Sequence, residues 1–362
     1  MQIISFVEEI LLAVFVIFLV LSSLFFLAIQ LLRHQEPQQG YRATGRALVM
    51  IPCKGIDLTL DKTFSSLKEQ DYDNYEIVCI VDSETDPSVE YIRRSGLRFI
   101  TSNYRCNGCS GKVRALCTAL HEFRDFDIYV IGDSDIIANS NWLRTLISPL
   151  SDESVGLATT FPLFVPQGGF WSQFKSVWGM VGHSMMKSNR TRFGWGGSLA
   201  FRKDLINDSM DQFCASVSDD IALSKICAAK GKRIEYMQKA TPDIVVNENF
   251  SSFMEWANRQ VALSVSSGNN VLKFGLAYFI GQSFLIVSAV VLSIFLNPVF
   301  LLLLVPFVTQ SIRYRKYHGK LGFFVPLIEF LLPFIYTYNL LHSVTHEEIQ
   351  WRGSVYNLRG GK

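Results

Sequence analysis

The stretch Ile128-Tyr129-Val130-Ile131-Gly132-Asp133-Ser134-Asp135 decides the fold of this chain. A continuous apolar run is typical of a strand that is buried on both faces, and here two carboxylates follow it at once. Two other runs are also followed by acidic residues. Ile77 to Val81 precedes Asp82, and Val217-Ser218 precedes Asp219-Asp220, where a helix is predicted to begin. The three acidic positions predict a site at one edge of a sheet.

Between residues 45 and 270, short apolar runs alternate with segments of helical spacing. This alternation predicts an α/β fold with a mostly parallel sheet flanked by helices. Ligands of such sheets bind at the carboxyl ends of the strands, where Asp82, Asp133 and Asp135 stand. The predicted strands are Ala47–Ile51, Ile77–Val81, Leu97–Ile100 and Ile128–Ile131, and the predicted helices between them are Phe64–Glu69 and Val113–Phe123.

The pair Asp133 and Asp135 has the chemistry of a divalent-cation site. Mg²⁺ or Mn²⁺ prefers oxygen ligands and keeps substrate phosphates in its coordination shell. Asp82 could accept a hydrogen bond from a base N–H or a ribose hydroxyl. Lys54, after the first strand, and Lys112, at a predicted helix start, could face phosphate, although a single lysine is usually a solvated side chain. This set of residues indicates a nucleotide-sugar donor.

Asp219-Asp220 has two interpretations. Ser218 is a good N-cap and acids in the first helical turn complement the helix dipole, so capping alone could explain the sequence. Alternatively, one of these carboxylates is a general base that deprotonates an acceptor hydroxyl. The loop Gly194-Trp195-Gly196-Gly197-Ser198 could let the backbone approach a sugar or a lipid headgroup closely, or it could be a simple turn.

Hydrophobic residues make up 49% of the 362-residue chain and are concentrated in a few segments. Ile10 to Ala28 is long enough for a spanning helix, and the absence of a basic flank or cleavage site favours an anchor over a signal peptide. Phe274 to Leu296 could span once, or Phe274 to Gln310 could form a hairpin that turns near Asn297-Pro298. Leu321 to Leu341 contains Glu329 and two prolines, so it could span or lie in the interface.

These segments predict four regions. They are an N-terminal anchor over 1–34, a cytoplasmic catalytic domain over 45–270, C-terminal membrane segments over 271–345 and a basic tail over 346–362. Basic residues flank the cytoplasmic side of membrane segments, which places the catalytic region in the cytoplasm. The side of the C-terminus stays open. The basic residues that support this orientation are Arg33, Arg42, Arg46, Arg313, Arg315, Lys316 and Lys320.

Charge and cysteine content exclude some classes of protein. A net charge of +2 argues against nucleic-acid binding, which calls for a strong basic excess. The seven cysteines are scattered and odd in number, which favours a reducing compartment over a disulfide framework. For Cys106-Asn107-Gly108-Cys109, a turn on Asn107-Gly108 is favoured over a zinc site.

Two aromatic stripes with helical spacing accompany the predicted catalytic domain. Each could pack on the domain core, or it could lie in the membrane interface where a lipid acceptor enters. The stripes consist of Phe170, Trp171, Phe174, Val177, Trp178 and Val181, and of Phe250, Phe253, Met254, Ala257 and Val261.

The motifs in order resemble the ceramide glucosyltransferase family, within the family 2-like inverting glycosyltransferases of GT-A fold. The resemblance covers nearly the whole chain. It implies that Asp82 contacts the nucleoside, that Asp135 is the main metal ligand beside Asp133, and that Asp220 is the catalytic base after Asp219. It also implies that His183 belongs to the donor or acceptor region. The matching motifs are Pro-Cys-Lys-Gly, Val-Asp-Ser, Gly-Lys-Val, Asp-Ser-Asp, Gly-Gly-Ser followed by Phe-Arg-Lys-Asp-Leu, and Ser-Asp-Asp.

The chain departs from this family at the Gln-x-x-Arg-Trp element. Only Arg259 matches, in Trp256-Ala257-Asn258-Arg259-Gln260, and it could hold a diphosphate by a bidentate contact. The missing tryptophan weakens any analogy with processive polysaccharide synthases. Gln350-Trp351-Arg352-Gly353 resembles a recurring family tail, for which interfacial anchoring is the one physical role we can suggest.

The sequence therefore predicts a membrane-bound enzyme that moves a hexose, glucose by preference, from a UDP-sugar to a lipid hydroxyl such as that of ceramide. Its expected partners are the UDP-sugar, the lipid acceptor and the bilayer. Transfer to polyprenyl phosphate, another lipid or a polysaccharide chain is the alternative. A catalytically silent membrane scaffold that binds sugar nucleotides is a rival from another class, and the oligomeric state stays open.

Overall fold

The computed structural model describes residues 2–31, 42, 44–106, 108–346, 348–351 and 353–357. The chain divides into two compact units. The helical unit consists of residues 1–34, 168–177 and 248–347. The other unit, named the catalytic unit because it carries the predicted site residues Asp133 and Asp220, consists of residues 35–167, 178–247 and 348–362. The first predicted aromatic stripe as far as Val177 and the whole of the second stripe thus group with the apolar helices.

The catalytic unit is built on a seven-stranded sheet in the order β3-β2-β1-β4-β8-β6-β9. Neighbouring strands among β3, β2, β1 and β4 are parallel, β8 is antiparallel to β4 and β6, and β9 is parallel to β6. This architecture confirms the predicted α/β class with a mostly parallel sheet. Its strands are β1 (Ala47–Cys53), β2 (Tyr75–Val81), β3 (Arg98–Thr101), β4 (Ile128–Gly132), β6 (Val155–Thr159), β8 (Ser198–Arg202) and β9 (Arg233–Tyr236).

A smaller sheet in the order β5-β10-β7 and a two-stranded hairpin complete the β structure of the described residues. These strands are β5 (Ile136–Ile137), β7 (Leu163–Pro166), β10 (Asp243–Val246), β11 (Glu348–Trp351) and β12 (Ser354–Asn357).

Helices cover the large sheet and close its core. Leu116 of α4, Ile131 of β4 and Leu223 of α9 lie in one buried apolar cluster. This is the expected position for continuous apolar strands that lie between helices. The helices that start in this unit are α2 (Leu60–Lys68), α3 (Ser88–Ser95), α4 (Gly111–Glu122), α5 (Trp142–Ile147), α7 (Lys203–Ile206), α8 (Met210–Cys214) and α9 (Asp219–Ala229), with 3₁₀ helices at Ser148–Ser151, Asn207–Ser209 and Gln238–Ala240. Helix α6 (Phe170–Met186) starts in the helical unit and ends in this one.

Strand register brings the predicted acids together at one edge. Cys53 of β1 pairs with Val81 of β2, and Met50 pairs with Ile131 of β4. Lys54, Asp82 and Asp133 therefore follow the carboxyl ends of three adjacent parallel strands, which is where ligands of such sheets bind.

The helical unit contains three helices that are long and apolar enough to cross a membrane, at Glu8–Gln30, Asn270–Phe295 and Val325–Thr345. Leu19, Phe26 and Leu285 belong to a buried cluster within this unit. The helices of the unit are α1 (Gln2–Leu31), α10 (Phe250–Ser267), α11 (Asn269–Phe295), α12 (Val305–Arg313), α13 (His318–Leu321) and α14 (Val325–Thr345), with 3₁₀ turns at Pro298–Leu304 and Tyr314–Tyr317.

The second membrane segment contains α11 and a turn at Asn297-Pro298. After this turn a seven-residue 3₁₀ helix, Pro298–Leu304, continues directly into the nine-residue α12. A single span by α11 and a hairpin that turns at Asn297-Pro298 both stay predictions.

The two aromatic stripes pack on each other in the helical unit. Trp171 of α6 stacks on Phe253 of α10, with ring centroids 5.6 Å apart, and Phe174 lies 5.1 Å from the same ring. Phe253 and Phe174 are buried, whereas Phe250 is 53% exposed. Most of both stripes is thus core, and their exposed end is what could meet an interface.

The cysteines differ from the sequence-based expectation of unpaired thiols. Cys117 of α4 is disulfide-bonded to Cys214 of α8, and Cys106 is bonded to Cys109. The other three, Cys53, Cys79 and Cys227, are free and buried. The pairing was not predictable from spacing because Cys117 and Cys214 are 97 residues apart. Gly108 has φ +79°, as a turn requires, and Asn107 lies outside the described residues.

Candidate functional site

Lys112 joins the acidic positions into one cluster. It lies in the first turn of α4, and its Nζ donates to Asp133 Oδ1 at 2.6 Å and to the Gly196 carbonyl at 3.1 Å. Asp219 Oδ2 lies 3.4 Å from the same ammonium group. The lysine side chain is only 11% exposed, so it is a buried counter-charge and not the solvated side chain that a single lysine usually is.

Burial and charge oppose each other at this cluster. Burial by itself would lower the pKa of Lys112, but Asp133 and Asp219 outweigh it and raise that pKa. For Asp219, burial raises the pKa of the carboxyl to about 6 against the lowering effect of Lys112, and the nearby Asp220 and Asp133 carboxylates add to the rise. The ammonium group therefore stays charged, and its position next to the Asp133 carboxylate is fixed.

Asp220 follows in the first turn of α9 and is partly exposed, whereas Asp219 is buried. Gly196 N–H donates to Asp220 Oδ2 at 3.3 Å, and Ile221 N–H donates to Oδ1 at 2.8 Å. The Ser218 hydroxyl also donates to Oδ1. Ser218 occupies the N-cap position but its side chain caps no backbone N–H, which weakens the capping interpretation. These bonds orient an accessible carboxylate.

Close backbone approach explains the glycines in the loop before β8. A Cβ on Gly196 would lie 2.3 Å from Asp219 Oδ2, and one on Gly197 would lie 2.1 Å from the Trp195 ring and 2.7 Å from Asp133 Oδ2. Any larger residue would push into the acidic cluster. The glycines therefore let the backbone pack closely against the acids, and approach of this loop to a sugar or a lipid headgroup stays a prediction.

Asp82 lies in a second charged group beside the first. Arg114 Nη2 donates to Asp82 Oδ1 at 2.9 Å, and Lys54 Nζ lies 3.4 Å from Asp82 Oδ2. Arg114 Nε also donates to the Ser102 hydroxyl at 3.3 Å. An open cavity of about 560 Å³ adjoins this group and is lined by Ser102, Asn103, Tyr104, Arg105, Cys106 and Arg114.

The loop after β1 holds the Asp133-Ser134-Asp135 segment. The Ser134 hydroxyl donates to Asp57 Oδ2, and the Thr59 hydroxyl donates to the Asp135 carbonyl at 3.2 Å. Asp86 in turn accepts from Gly55 N–H at 3.0 Å. These hydrogen bonds hold the segment that carries the two predicted metal ligands against the loop that follows the first strand.

Asp133 and Asp135 fit a divalent cation by their donor chemistry. Both are carboxylates at a strand end and both are partly exposed, so a cation and a substrate phosphate could reach them. Two protein carboxylates with phosphate and water oxygens is a common way to hold Mg²⁺. Among the described residues, no group of three or more histidine, cysteine or acidic side chains is arranged to hold a metal ion.

Two predicted site residues lie elsewhere. His183 is buried in α6, where its ring nitrogens contact Tyr236 Oη at 3.1 Å and the Pro162 carbonyl at 3.0 Å. Its ring also contacts Phe161, which in turn lies against Trp195. This position suits support of the Trp195 loop better than substrate contact. Arg259 lies on α10 in the helical unit, partly buried.

Two residues near the acids were missed by the sequence interpretation. Arg114 lies two positions after Lys112, but nothing in the sequence signals that it turns to Asp82. Asp57 lies in an ordinary-looking loop, and only the tertiary structure brings it to Ser134.

The C-terminal segment that resembles a recurring family tail lies in the hairpin of β11 and β12. The Tyr356 hydroxyl accepts a hydrogen bond from the N–H of Gly111, at the start of α4, at 3.2 Å. The hairpin therefore contacts the helix that carries Lys112, and interfacial anchoring by the motif stays a prediction. Arg352 of the motif and the basic residues Arg359 and Lys362 lie outside the described residues.

Among solved structures, the chain is similar to a mannosyltransferase from Pyrobaculum calidifontis in complex with GDP-Man and Mn²⁺. The two share 16% sequence identity with a TM-score of 0.54, covering 90% of this chain and 93% of that one. The chain is also similar to glucosyl-3-phosphoglycerate synthase from Mycobacterium tuberculosis in complex with Mn²⁺, UDP and phosphoglyceric acid, at 18% identity and a TM-score of 0.45 over 64% of this chain and 84% of that one. The first likeness establishes a GT-A-type fold.

The family model of glycosyl transferase family 21 matches residues 15–362. The match spans nearly the whole chain, the membrane-type helices included. This protein therefore belongs to glycosyl transferase family 21, and it is a glycosyltransferase.

Proposed function

We propose that this protein moves a hexose, glucose by preference, from a UDP-sugar to the hydroxyl of a membrane lipid such as ceramide, with inversion at the anomeric carbon. One observation carries the proposal. The accessible Asp220 carboxylate is held against Gly196, and Gly196 is joined through Lys112 to Asp133 at the strand end. The proposed base and the proposed diphosphate site thus lie in one cluster of hydrogen bonds.

In the proposed reaction Asp220 takes the proton from the acceptor hydroxyl. The hydroxyl oxygen then bonds to the anomeric carbon as the bond to the UDP oxygen breaks, and UDP leaves with the electron pair. The hydrogen bonds from Gly196, Ile221 and Ser218 hold the carboxylate in one orientation, so no reorganisation is needed at that moment.

On the donor side, Asp133 and Asp135 would hold Mg²⁺ or Mn²⁺, which when bound offsets charge on the leaving diphosphate. The mannosyltransferase of similar fold was solved with GDP-Man and Mn²⁺, which supports a metal-dependent sugar-nucleotide site. Asp82, with Arg114 and Lys54, would hold the nucleoside beside the open cavity.

The lipid acceptor is supported by the helical unit. Its long apolar helices suit a bilayer, and Phe250 and Phe323 present exposed rings next to the packed aromatic stripes. Aromatic rings at such positions favour the membrane interface. The basic residues Arg313, Arg315, Lys316 and Lys320 favour a catalytic unit on the cytoplasmic face.

Replacing the proposed base tests the reaction. Asp220→Asn should abolish sugar transfer while UDP binding in Mn²⁺ stays within about twofold, because the amide keeps the shape of the side chain but cannot take the proton. Transfer would be followed by mass spectrometry of the lipid product and UDP binding by calorimetry. Retained transfer would exclude Asp220 as the base, and loss of UDP binding together with transfer would place Asp220 on the donor side.

Removing the metal tests the donor side. EDTA should stop turnover, added Mn²⁺ should restore it, and Asp135→Ala should remain inactive in excess Mn²⁺. The exposed Asp211 provides a matched control, because Asp211→Ala should keep normal activity and normal restoration. Full turnover in chelator would remove the metal from the proposal. UDP binding without UDP release across a panel of lipids would favour the silent scaffold.

A further inference from the structure

A cluster of cations lies in the helical unit between α12 and α14. Four lysine or arginine side chains fall within eight residues of the chain, and all four are exposed. The sequence contains no acidic residue between Glu255 and Glu329, so this stretch has no carboxylate of its own. The four residues, which we name the basic segment, are Arg313, Arg315, Lys316 and Lys320.

A buried tyrosine fixes the basic segment and leaves its cations outside. Tyr314 is buried, and its hydroxyl accepts a hydrogen bond from the Gln310 amide of α12. The chain from Arg313 to Lys320 consists of the end of α12, a 3₁₀ helix and the start of α13. Since such helices rise about 1.5–2 Å per residue, the four cations lie within about 14 Å of chain. This length is comparable to the screening distance of about 8–10 Å in physiological salt, so their potentials add.

The charges of the basic segment are not offset by neighbouring acids. Among the described residues, Arg313 and Arg315 form no ion pair, and the Lys316 ammonium group lies 4.8 Å from the centroid of the Tyr317 ring. Like charges at this density repel one another, and anions that lie among them relieve the repulsion. Charge by itself would also suit a solvated surface, so the neighbours of the segment decide between water and an anionic partner.

Contacts within the helical unit place the basic segment at one end of the long apolar helices. Gln30, in the last turn of α1, donates to the Pro306 carbonyl of α12 at 2.9 Å and accepts from the Thr309 hydroxyl at 2.9 Å. Arg313 follows Thr309 by about one helical turn. On the other side, α14 begins at Val325, five residues after the segment ends. The cations therefore lie where helices long enough to cross a membrane would leave its apolar layer.

Aromatic residues adjoin the cations on the side of α14. Phe323 is 87% exposed. The Phe324 N–H donates to Gln173 Oε1 of α6 at 3.1 Å, and the Phe324 ring lies 5.7 Å from the Phe170 ring, so this turn is fixed on the helical unit. Exposed cations beside exposed aromatic rings suit the boundary between lipid headgroups and the apolar layer. A nucleic acid or an acidic protein would supply negative charge, but it offers no apolar layer for Phe323.

We propose that the basic segment binds the phosphate groups of anionic phospholipids, while Phe323 enters the apolar layer beneath them. The guanidinium groups of Arg313 and Arg315 suit phosphate oxygens, to which they can donate two hydrogen bonds each. A zwitterionic lipid is bound less well, because its phosphate is already paired with the cation of its own headgroup. The inference goes beyond sugar transfer and does not depend on it.

Titration of the purified full-length protein in detergent tests the proposal. Tail-labelled phosphatidylglycerol and phosphatidylcholine with the same acyl chains are compared by fluorescence anisotropy. The wild-type protein should bind phosphatidylglycerol about tenfold more tightly, because each nearby lysine or arginine attracts a negatively charged headgroup. Added sodium chloride should reduce this preference, since it screens exposed charges.

Variants of the basic segment assign the preference to its residues. The fourfold variant Arg313→Gln, Arg315→Gln, Lys316→Gln and Lys320→Gln should bind phosphatidylglycerol about tenfold more weakly, at the level of phosphatidylcholine. Arg313→Lys with Arg315→Lys keeps the charge and should keep the preference. Phe323→Ser should weaken binding of both lipids by a similar factor of about three. The double variant Arg313→Gln with Arg315→Gln serves as the test if the fourfold variant does not fold.

A matched control separates the basic segment from net charge. It removes the same number of exposed cations from the catalytic unit, and its preference for phosphatidylglycerol should equal that of wild type. The four residues changed to glutamine in this control are Lys62, Arg190, Lys225 and Lys239.

Three results would overturn the inference. Equal binding of the two lipids by wild type would remove the preference, and an unchanged preference in the fourfold variant would place it elsewhere on the protein. An equal loss in the control variant would attribute it to net charge. Competition by polyglutamate for the labelled phosphatidylglycerol, stronger than by vesicles of unlabelled phosphatidylglycerol, would replace the lipid by an acidic protein partner.

Discussion

At the scale of single residues, the central feature is the buried lysine among acids. Lys112 contacts Asp133 and lies 3.4 Å from Asp219, and both it and Asp219 are largely withdrawn from water. Breaking such a buried pair costs about 3–5 kcal/mol, because the remaining charge is left without compensation. The cluster therefore combines a stabilising ion pair with a positive charge held near the proposed diphosphate position.

The raised pKa of Asp219 predicts how stability depends on pH. Its folded pKa of about 6 exceeds the ordinary value of 3.8, so its contribution to stability is full below the unfolded pKa and is lost as pH rises through the folded pKa. Asp219→Asn removes this dependence. The stability of wild type relative to the variant should fall by about 3 kcal/mol between about pH 3.5 and about pH 7.5.

Denaturant unfolding in detergent at the two pH values would measure this difference. The exposed Asp211 gives the control, because Asp211→Asn should show no comparable pH dependence relative to wild type. A difference between wild type and Asp219→Asn that is the same at both pH values would contradict the buried, proton-binding state of this carboxyl.

At the scale of elements, the strand ends are held in place by the loops between them. The loop after β1 contacts the Asp133-Ser134-Asp135 segment through Asp57 and Thr59, and β12 contacts the start of α4 through Tyr356. Positions of metal ligands depend on such supporting hydrogen bonds, which orient the ligand and limit its motion. The loop after β1 is therefore part of the site, although it carries no predicted metal ligand.

Ser134→Ala tests this support without touching a carboxylate. Loss of the hydrogen bond to Asp57 should weaken UDP binding in Mn²⁺ about tenfold, since a hydrogen bond to a charged acceptor contributes roughly 1.5–3 kcal/mol. Calorimetric titration of UDP would measure the change. Ser140→Ala, at an exposed position, should bind UDP as wild type does. Equal affinity in the two variants would show that the loop does not position the metal ligands.

At the scale of the whole molecule, two units of different chemistry share one chain. One is a sheet-based catalytic unit, and the other is a bundle with helices long enough to cross a membrane. The disulfides bear on the compartment of the catalytic unit, because such bonds persist mainly in oxidising compartments. The basic residues that flank the membrane segments favour the cytoplasm instead. The sidedness of the catalytic unit is therefore a direct test of the proposed orientation.

A single engineered thiol can report that sidedness. Glu153 is exposed in the catalytic unit, and the native cysteines are either buried or disulfide-bonded. A membrane-impermeant maleimide should label Glu153→Cys only from the cytoplasmic side of sealed vesicles. Wild-type protein treated in the same way gives the background. Labelling from the opposite side would contradict the proposed orientation and agree with the oxidised cysteines.

Local pattern by itself determined the sheet, the acidic strand ends and the apolar helices. Continuous apolar runs followed by Asp82 or Asp133 make these predictions possible, because a parallel strand that is buried on both faces is apolar at consecutive positions. The long apolar segments were predicted for the same reason, although the break after α11 at Asn297-Pro298 was left between two alternatives.

Only the tertiary structure decided which side chains meet. Arg114 with Asp82, Asp57 with Ser134, and Cys117 with Cys214 join residues far apart in sequence, so no local pattern records them. The burial of most of the two aromatic stripes was likewise decided by neighbours from other elements. Sequence patterns record what each segment prefers, whereas burial and pairing depend on what the fold brings beside it. The acids and Lys112 were therefore predicted as site residues, but the ion pairs that join Lys112 to Asp133 and Asp219 were not.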